Sequence, residues 1–276
     1  MVFYIIPSPI GNLDDITIRA KKILSELDFL VVENKKVTSR LLNALDIKKN
    51  KIITYNDTST SKDRAKIITL LKKGQTGGLI SDSGTPLISD PGFKLTTEII
   101  NNNFKLISLP GPTSVITALA GSGLGTDSFQ FFGFFPRKKN EQLNILKKLK
   151  ICDGTSIFFE SPKRLLATLE TIQNNLNNQT KVCVAKELTK IHEAYIRGSS
   201  SEVLRYFIEN QEIIKGEFIL LINVVPDSID KNTADEIFKI LKNDVSIKVI
   251  AKLASSITDI SKNELYKRFL SLSKKN

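Results

Sequence analysis

Three short segments of the chain concentrate hydroxyls, carboxylates, prolines and glycines. Pro7-Ser8-Pro9-Ile10-Gly11-Asn12 fixes its backbone with two prolines and leaves Gly11 open to close approach. Ser81-Asp82-Ser83-Gly84-Thr85-Pro86, continuing to Ser89-Asp90-Pro91-Gly92, carries two carboxylates among several hydroxyls. Pro110-Gly111-Pro112-Thr113-Ser114 opens onto a helical pattern whose free N–H groups can receive a carboxylate or phosphate. Each segment alone is ordinary turn composition. Three of them at strand ends in one sheet read as a binding site, because open α/β sheets bind ligands at the carboxyl ends of their strands. A ligand with an amino-acid end, a ribose and an adenine suits the set. Asp82 can accept from hydroxyl or ammonium groups, and the N–H groups near Thr113 and Ser114 can hold a carboxylate.

Strands and helices must aim these loops. Residues 2–6 form an apolar run that Pro7 ends, as a buried parallel strand requires. Asp14 and Asp15 predict the cap of a helix whose apolar face is Ile16, Ala20, Ile23, Leu24 and Leu27. Further strands are predicted at 29–32, 51–54, 78–81 and 105–109, and helices at 63–73, 93–101 and 113–121. The stretch leading to Arg40 reads only as basic. Repeated βα units imply a mostly parallel sheet with helices on both faces. The Gly-rich segment 121–127 predicts a boundary, after which strands at 129–135, 155–159, 182–185, 194–197 and 217–224 imply a mixed sheet. Helices are predicted within it at 141–149, 163–174 and 201–209. From Pro226-Asp227 onward, three amphipathic patterns at 234–241, 247–254 and 262–270 suggest a small helical piece. The expected organisation is an α/β domain at 1–121, a mixed-sheet α/β domain at 122–226 and a helical appendage at 227–276.

Composition narrows the function classes. The 276 residues carry a net charge of +11, which favours a polyanionic partner such as nucleic acid. A Lys- and Asn-rich composition accounts for part of that charge, and the charge is spread rather than clustered. Two distant cysteines, Cys152 and Cys183, argue against a disulfide framework or zinc site and fit a reducing cytoplasm. No apolar run reaches the ~18 residues of a membrane span, and the first residues lack a signal-peptide pattern. One histidine in the whole chain excludes chemistry built on several. No G-x-x-x-x-G-K-[ST] occurs, and Gly121, Gly123 and Gly125 follow a helix with linker-like spacing.

Eight blocks then stand in a characteristic order: PSPIGNLDDITIRA, SDSGTPLISDPG, LPGPTSVITAL, GFFPR, FFESPKRLLATL, KELTKIHE, RG and KGEF. In these the chain resembles the RsmI family over almost its whole length. The resemblance implies a two-domain tetrapyrrole-methylase fold. It implies a bacterial enzyme that uses S-adenosylmethionine to methylate a cytidine 2′-hydroxyl in 16S ribosomal RNA at the decoding centre of the 30S subunit. It also implies a homodimer. The matching donor-site positions are Pro9, Ile10 and Gly11; Asp82, Gly84, Thr85 and Pro86; and Pro110, Gly111, Thr113 and Ser114. From the second domain, Glu160, Ser161, Pro162, Ala185, Lys186 and Glu187 would close the site. The chain departs from the family at Glu33-Asn34-Lys35-Lys36, where Glu-Asp-Thr-Arg is usual, and at Asn56, where His is usual. Ser83 replaces an Ala and Lys186 an Arg.

Methyl transfer from a sulfonium needs an in-line nucleophile and a well-positioned donor. A ribose hydroxyl is a poor nucleophile and profits from a base or from cations near its developing charge. Candidates are Glu33, Lys35 or Lys36, Lys186, Glu187 and His192. A Lys186/Glu187 pair is expected to orient the donor or the ribose; Arg197 is the other candidate partner of Glu187. Phenylalanines 131–135 beside Arg137, Lys138 and Lys139 read as core plus a basic loop, or as a surface for base stacking and phosphate contact. The rival readings are a non-catalytic ribosomal RNA binder, a small-molecule tetrapyrrole methylase and a helix-turn-helix DNA binder.

Overall fold

A computed structural model describes residues 1–48, 51–152, 154–224, 231–258 and 260–273. Its first half interleaves β1 (Val2–Ile6), α1 (Ile18–Glu26), β2 (Phe29–Val32), α2 (Lys35–Ala44), β3 (Ile52–Thr54), α3 (Ser61–Lys72), β4 (Gly77–Ile80), α4 (Phe93–Asn101) and β5 (Lys105–Ser108). The five strands make an all-parallel sheet in the order β3-β2-β4-β1-β5. Alternation along each strand assigns side chains to the two faces. Phe3, Ile5, Phe29 and Val31 pack with α3 and α4, while Ile6, Leu30 and Val32 pack with α1 and α2. Gly77 has no Cβ because the ring of Phe29 occupies that space.

Two local expectations change. Asp14 and Asp15 do not cap α1; they lie in a 3₁₀ turn, Leu13–Asp15, that Asn12 caps. Ile16 is extended, so the helix starts beyond it, and the Thr17 hydroxyl accepts the Ala20 N–H at 3.0 Å. The basic stretch leading to Arg40 is itself a helix, α2. Asn34 caps it by accepting the Lys36 N–H at 3.0 Å, and Leu42 anchors it to the core.

The second half contains α5 (Ser114–Ser122), β6 (Phe129–Phe134), α6 (Lys139–Leu149), β7 (Thr155–Glu160), α7 (Leu165–Asn175), β8 (Lys181–Lys186), β9 (Ala194–Ser199), α8 (Ser200–Glu209) and β10 (Phe218–Asn223). The sheet order is β6-β7-β10-β8-β9, with only β6–β7 parallel. Helices α6, α7 and α8 cover one face through Leu146, Leu169, Ile172, Val203 and Phe207. The other face receives α5, whose Val115, Ala118 and Leu119 pack on Ile157, Cys183, Ala185 and Leu221. Helix α5 therefore joins the two sheets. Tyr195 Oη donates to the Thr117 carbonyl at 3.0 Å, and Arg197 Nε donates to the Ser122 carbonyl at 3.0 Å. Gly123 ends α5 with φ +74°, a left-handed conformation that suits glycine.

Helices α9 (Lys231–Leu241), α10 (Ile247–Ser255) and α11 (Lys262–Ser273) have their own small core. Phe238 and Phe269 stack there with centroids 4.8 Å apart, and Arg268 grips Asp235 through two bonds of 2.6 and 2.7 Å. The expected boundary at 226–227 lies outside the described residues. Among the described residues no helix is long and apolar enough to cross a membrane.

Candidate functional site

A cavity of about 380 Å³ opens where the loops after β1, β4 and β5 face the ends of β7, β8 and β10. The first loop supplies Ile10 to its wall. Ser8 beneath it is fully buried and forms an antiparallel bridge with Gly84, through bonds of 2.9 and 3.1 Å. Pro9 and Gly11 stand outside the cavity wall. Gly11 instead lies against Lys190 and Thr189, and the Asn12 N–H donates to Thr189 Oγ1 at 3.0 Å. The first loop therefore touches both halves of the protein.

The second loop places Ser83, Gly84, Thr85, Ile88, Ser89 and Asp90 in the wall. Thr85 Oγ1 donates to the Pro112 carbonyl at 2.8 Å, which ties the second loop to the third. Pro86 is buried behind the wall, and Asp82 lies beside it, accepting the Asn34 N–H at 3.2 Å. Of the third loop, Thr113 and Ser114 line the cavity; Pro110 is exposed and Gly111 packs on Pro7. No side chain caps α5, so its first N–H groups are available beside Thr113 and Ser114.

The second half contributes Glu160, Ser161, Pro162, Ala185 and Glu187. The Glu160 carboxylate has no exposed surface. Arg164 Nη2 at 2.5 Å, the Ser161 N–H at 2.6 Å and the Thr168 hydroxyl at 2.6 Å hold it. Arg164 also donates to the Phe135 carbonyl at 3.0 Å, which links the FFESPKR and GFFPR blocks.

Glu187 does not pair with Lys186 or Arg197. Strand β8 stops at Lys186, and Glu187 turns the chain with φ +48°. Lys190, three residues on, returns to bond Glu187 at 2.9 Å and Glu217 at 3.0 Å. Arg197 points its guanidinium at the end of α5 instead. Burial alone would raise the Glu187 pKa, but the Glu217 N–H and Lys190 outweigh it and hold the carboxyl below its usual range. Lys186 is buried and Glu33 half-buried, and neither lines the cavity; His192 is exposed in the turn between β8 and β9.

Several wall residues had no assigned role in the sequence reading: Ile88, Phe159, Leu188 and 216–219; Ser89 and Asp90 were named only within their loop, and Phe134 only within the aromatic run. Gly216, Glu217 and Phe218 belong to the KGEF block, and Asp90 to the SDSGTPLISDPG block, so their signal was present. Phe134 has a different origin. The register of β6 against β7 shifts between Phe131 and Phe134, and Gly133 adopts φ +73° there. This bulge leaves Phe134 61% exposed at the cavity while Phe135 is buried in the core.

A carboxylate group gathers at the first-sheet side. Burial raises the pKa of Asp82, and burial together with Asp82 raises that of Glu33. Burial and then the charge of Glu33 push Asp90 up to about 6. Among the described residues, no group of three or more His, Cys, Asp or Glu is arranged to hold a metal ion.

The family model for tetrapyrrole (corrin/porphyrin) methylases matches residues 2–204. The ribosomal RNA small subunit methyltransferase I of Vibrio cholerae is 36% identical over 96% of this chain and 93% of its own length. The protein of the same name from Rickettsia prowazekii is 40% identical over 95% and 94%. Among solved structures, diphthine synthase has a TM-score of 0.63 at 10% identity, covering 81% of this chain and 89% of its own. A uroporphyrin-III C-methyl transferase from Thermus thermophilus, complexed with S-adenyl homocysteine, has a TM-score of 0.55 at 12% identity, covering 80% and 96%. These structures share the fold of this chain. With a match of this length and relatives this similar end to end, the chain belongs to the ribosomal RNA small subunit methyltransferase I family of the tetrapyrrole methylases.

Proposed function

We propose that the protein transfers a methyl group from S-adenosylmethionine to the 2′-hydroxyl of a cytidine in 16S ribosomal RNA, at the decoding centre of the small subunit. The observation that carries this reading is the cavity between the two sheets, whose wall is built from the motif blocks of both halves. Its chemistry fits the donor. The uncapped start of α5 suits a carboxylate, and Glu187 and Glu217 suit an ammonium group. Ile10, Ala185, Leu188 and Phe159 offer apolar surface to a nucleoside. When bound, the donor supplies a methyl carbon already activated on a sulfonium. The protein's part is to hold the donor and the ribose in line and to keep water out.

Within this reading Pro9, Gly11, Pro86, Pro110 and Gly111 shape the loops from behind, while Asp82 anchors Asn34 at the start of α2. Glu187 orients the donor, and buried Lys186 adds positive charge beside it. Exposed Phe134 offers a ring on which the target base can stack, and exposed Arg137, Lys138 and Lys139 offer contacts to phosphate. The net charge of +11 suits a ribosomal substrate, and such a substrate places the protein in the cytoplasm. The proposal also includes the division at 121/122 and 226/227 and a homodimer, which light scattering would show as twice the chain mass.

The test is incubation with labelled donor and 30S subunits that lack the modification, then nucleoside mass spectrometry of the 16S RNA. Methyl label in 2′-O-methylcytidine at one position is the expected result. Label on a base, or transfer only to a free tetrapyrrole, overturns the reading.

A further inference from the structure

Four acidic residues line the cavity: Asp90, Glu187, Glu217 and Glu160, whose carboxylate is itself buried. Three of them have a cation. Arg164 holds Glu160, and Lys190 holds both Glu187 and Glu217. Among the described residues Asp90 makes no ion pair, and its charged neighbours are Glu33 after β2, Asp57 after β3 and Asp82 after β4, all of them acidic. Among the described residues, the Ser81 hydroxyl is the neighbour that favours its anion. This arrangement works against both stability and RNA binding. Like charges raise the cost of each carboxylate, and an acidic wall repels phosphate in a protein whose net charge is +11. The backbone leading to Asp90 adds to that cost, since Leu87 and Ser89 adopt φ of +75° and +65°.

We infer that Asp90 is the proton acceptor of the transfer, taking the proton from the ribose hydroxyl as that oxygen attacks. The inference rests on the proposed reaction. In that step the bond between the 2′-oxygen and the methyl carbon forms as the sulfur–carbon bond breaks. The broken bond's electron pair stays on sulfur, and the hydroxyl proton passes to an Asp90 carboxylate oxygen. Solvent then receives the proton from Asp90 once the product leaves. A base must be ionised at working pH yet basic enough to draw the proton, which favours a midpoint close to neutrality. Burial and the facing carboxylates move Asp90 in that direction, to about 6. Glu160 and Glu187 are each engaged by a cation and are poorly placed for the role. Pairing thus sorts the wall into carboxylates that orient and one that titrates.

The test compares wild type with Asp90→Asn, which keeps size and shape. Three quantities are read: turnover on unmodified 30S subunits from pH 5 to 8, affinity for S-adenosylhomocysteine by calorimetry, and the Asp90 carboxyl titration by ¹³C NMR. The expected results are a loss in kcat of about 100-fold or more for D90N and an unchanged affinity for the nucleoside. Wild-type kcat/KM should rise with pH and level off above the midpoint that NMR gives for Asp90. A D90N protein that keeps more than about a tenth of the activity, or an Asp90 carboxyl that titrates near the ordinary 3.9, overturns the inference alone. Wild-type protein that leaves 16S RNA unlabelled overturns the proposed reaction and the inference with it.

Discussion

The Glu160–Arg164 pair allows a sharp prediction because its two ends are buried unequally. The carboxylate has no exposure, whereas the guanidinium is 25% exposed and has other acceptors in the Phe135 carbonyl and Ser161 Oγ. Replacing Arg164 by Met strands an anion in the core beneath the cavity. Breaking a buried pair in this way costs about 3–5 kcal/mol. Replacing Glu160 by Gln leaves a cation that reaches water and keeps an acceptor for Thr168. That change should cost about 1–3 kcal/mol. The double variant E160Q/R164M carries neither charge, so it should be more stable than the sum of the singles predicts, by at least about 1 kcal/mol. Urea unfolding followed by circular dichroism measures all of this. Equal costs for the two single variants, or strict additivity in the double, would refute the reasoning.

Thr38 is buried and its hydroxyl has no hydrogen-bond partner among the described residues, so Thr38→Val should leave stability unchanged or raise it by up to about 1 kcal/mol in the same assay. Burial pushes the Cys183 thiol up to about 11, so native protein should lose only Cys152 to a thiol reagent at pH 8, with Cys183 reacting after denaturation. Equal rates at the two cysteines would contradict this. The Thr60 backbone N–H and the Lys66 and Thr60 side chains hold Asp63 down to about 2, as part of the capping box of α3. Its folded pKa is depressed, so the cap's contribution is present above about 4 and lost as pH falls toward 2. An Asp63 carboxyl titrating near 4 by NMR would rule this out.

Much of this molecule is legible from local pattern. Residues 2–6 and 29–32 read as buried strands, because short apolar runs bounded by turn residues suit the inside of a parallel sheet. The Pro- and Gly-rich loops had to be turns, and their order along the chain resembled one family. Helix α2 escaped notice because its lysines mask a narrow apolar stripe, although Asn34 was in place as its cap. The N-terminal turn was misassigned because two aspartates cap as well as a threonine does until the extended Ile16 intervenes.

The sequence by itself determined the two sheets, the three turn-rich loops and the blocks that place the chain in its family. Each depends on neighbours within a few residues, where apolar period, proline and glycine act directly on φ and ψ. Tertiary structure decided which carboxylate meets which cation. Glu187 took Lys190 rather than Lys186 because a left-handed turn follows the strand, and Glu217 joined them from β10's leading edge. Asp90 came to line a cavity completed by residues as far along the chain as Ile219, facing Asp82 of its own loop and Glu33 and Asp57 from two others. Charge pairing and burial are set by strand order and register, and these arise from long-range packing that no short stretch of sequence contains.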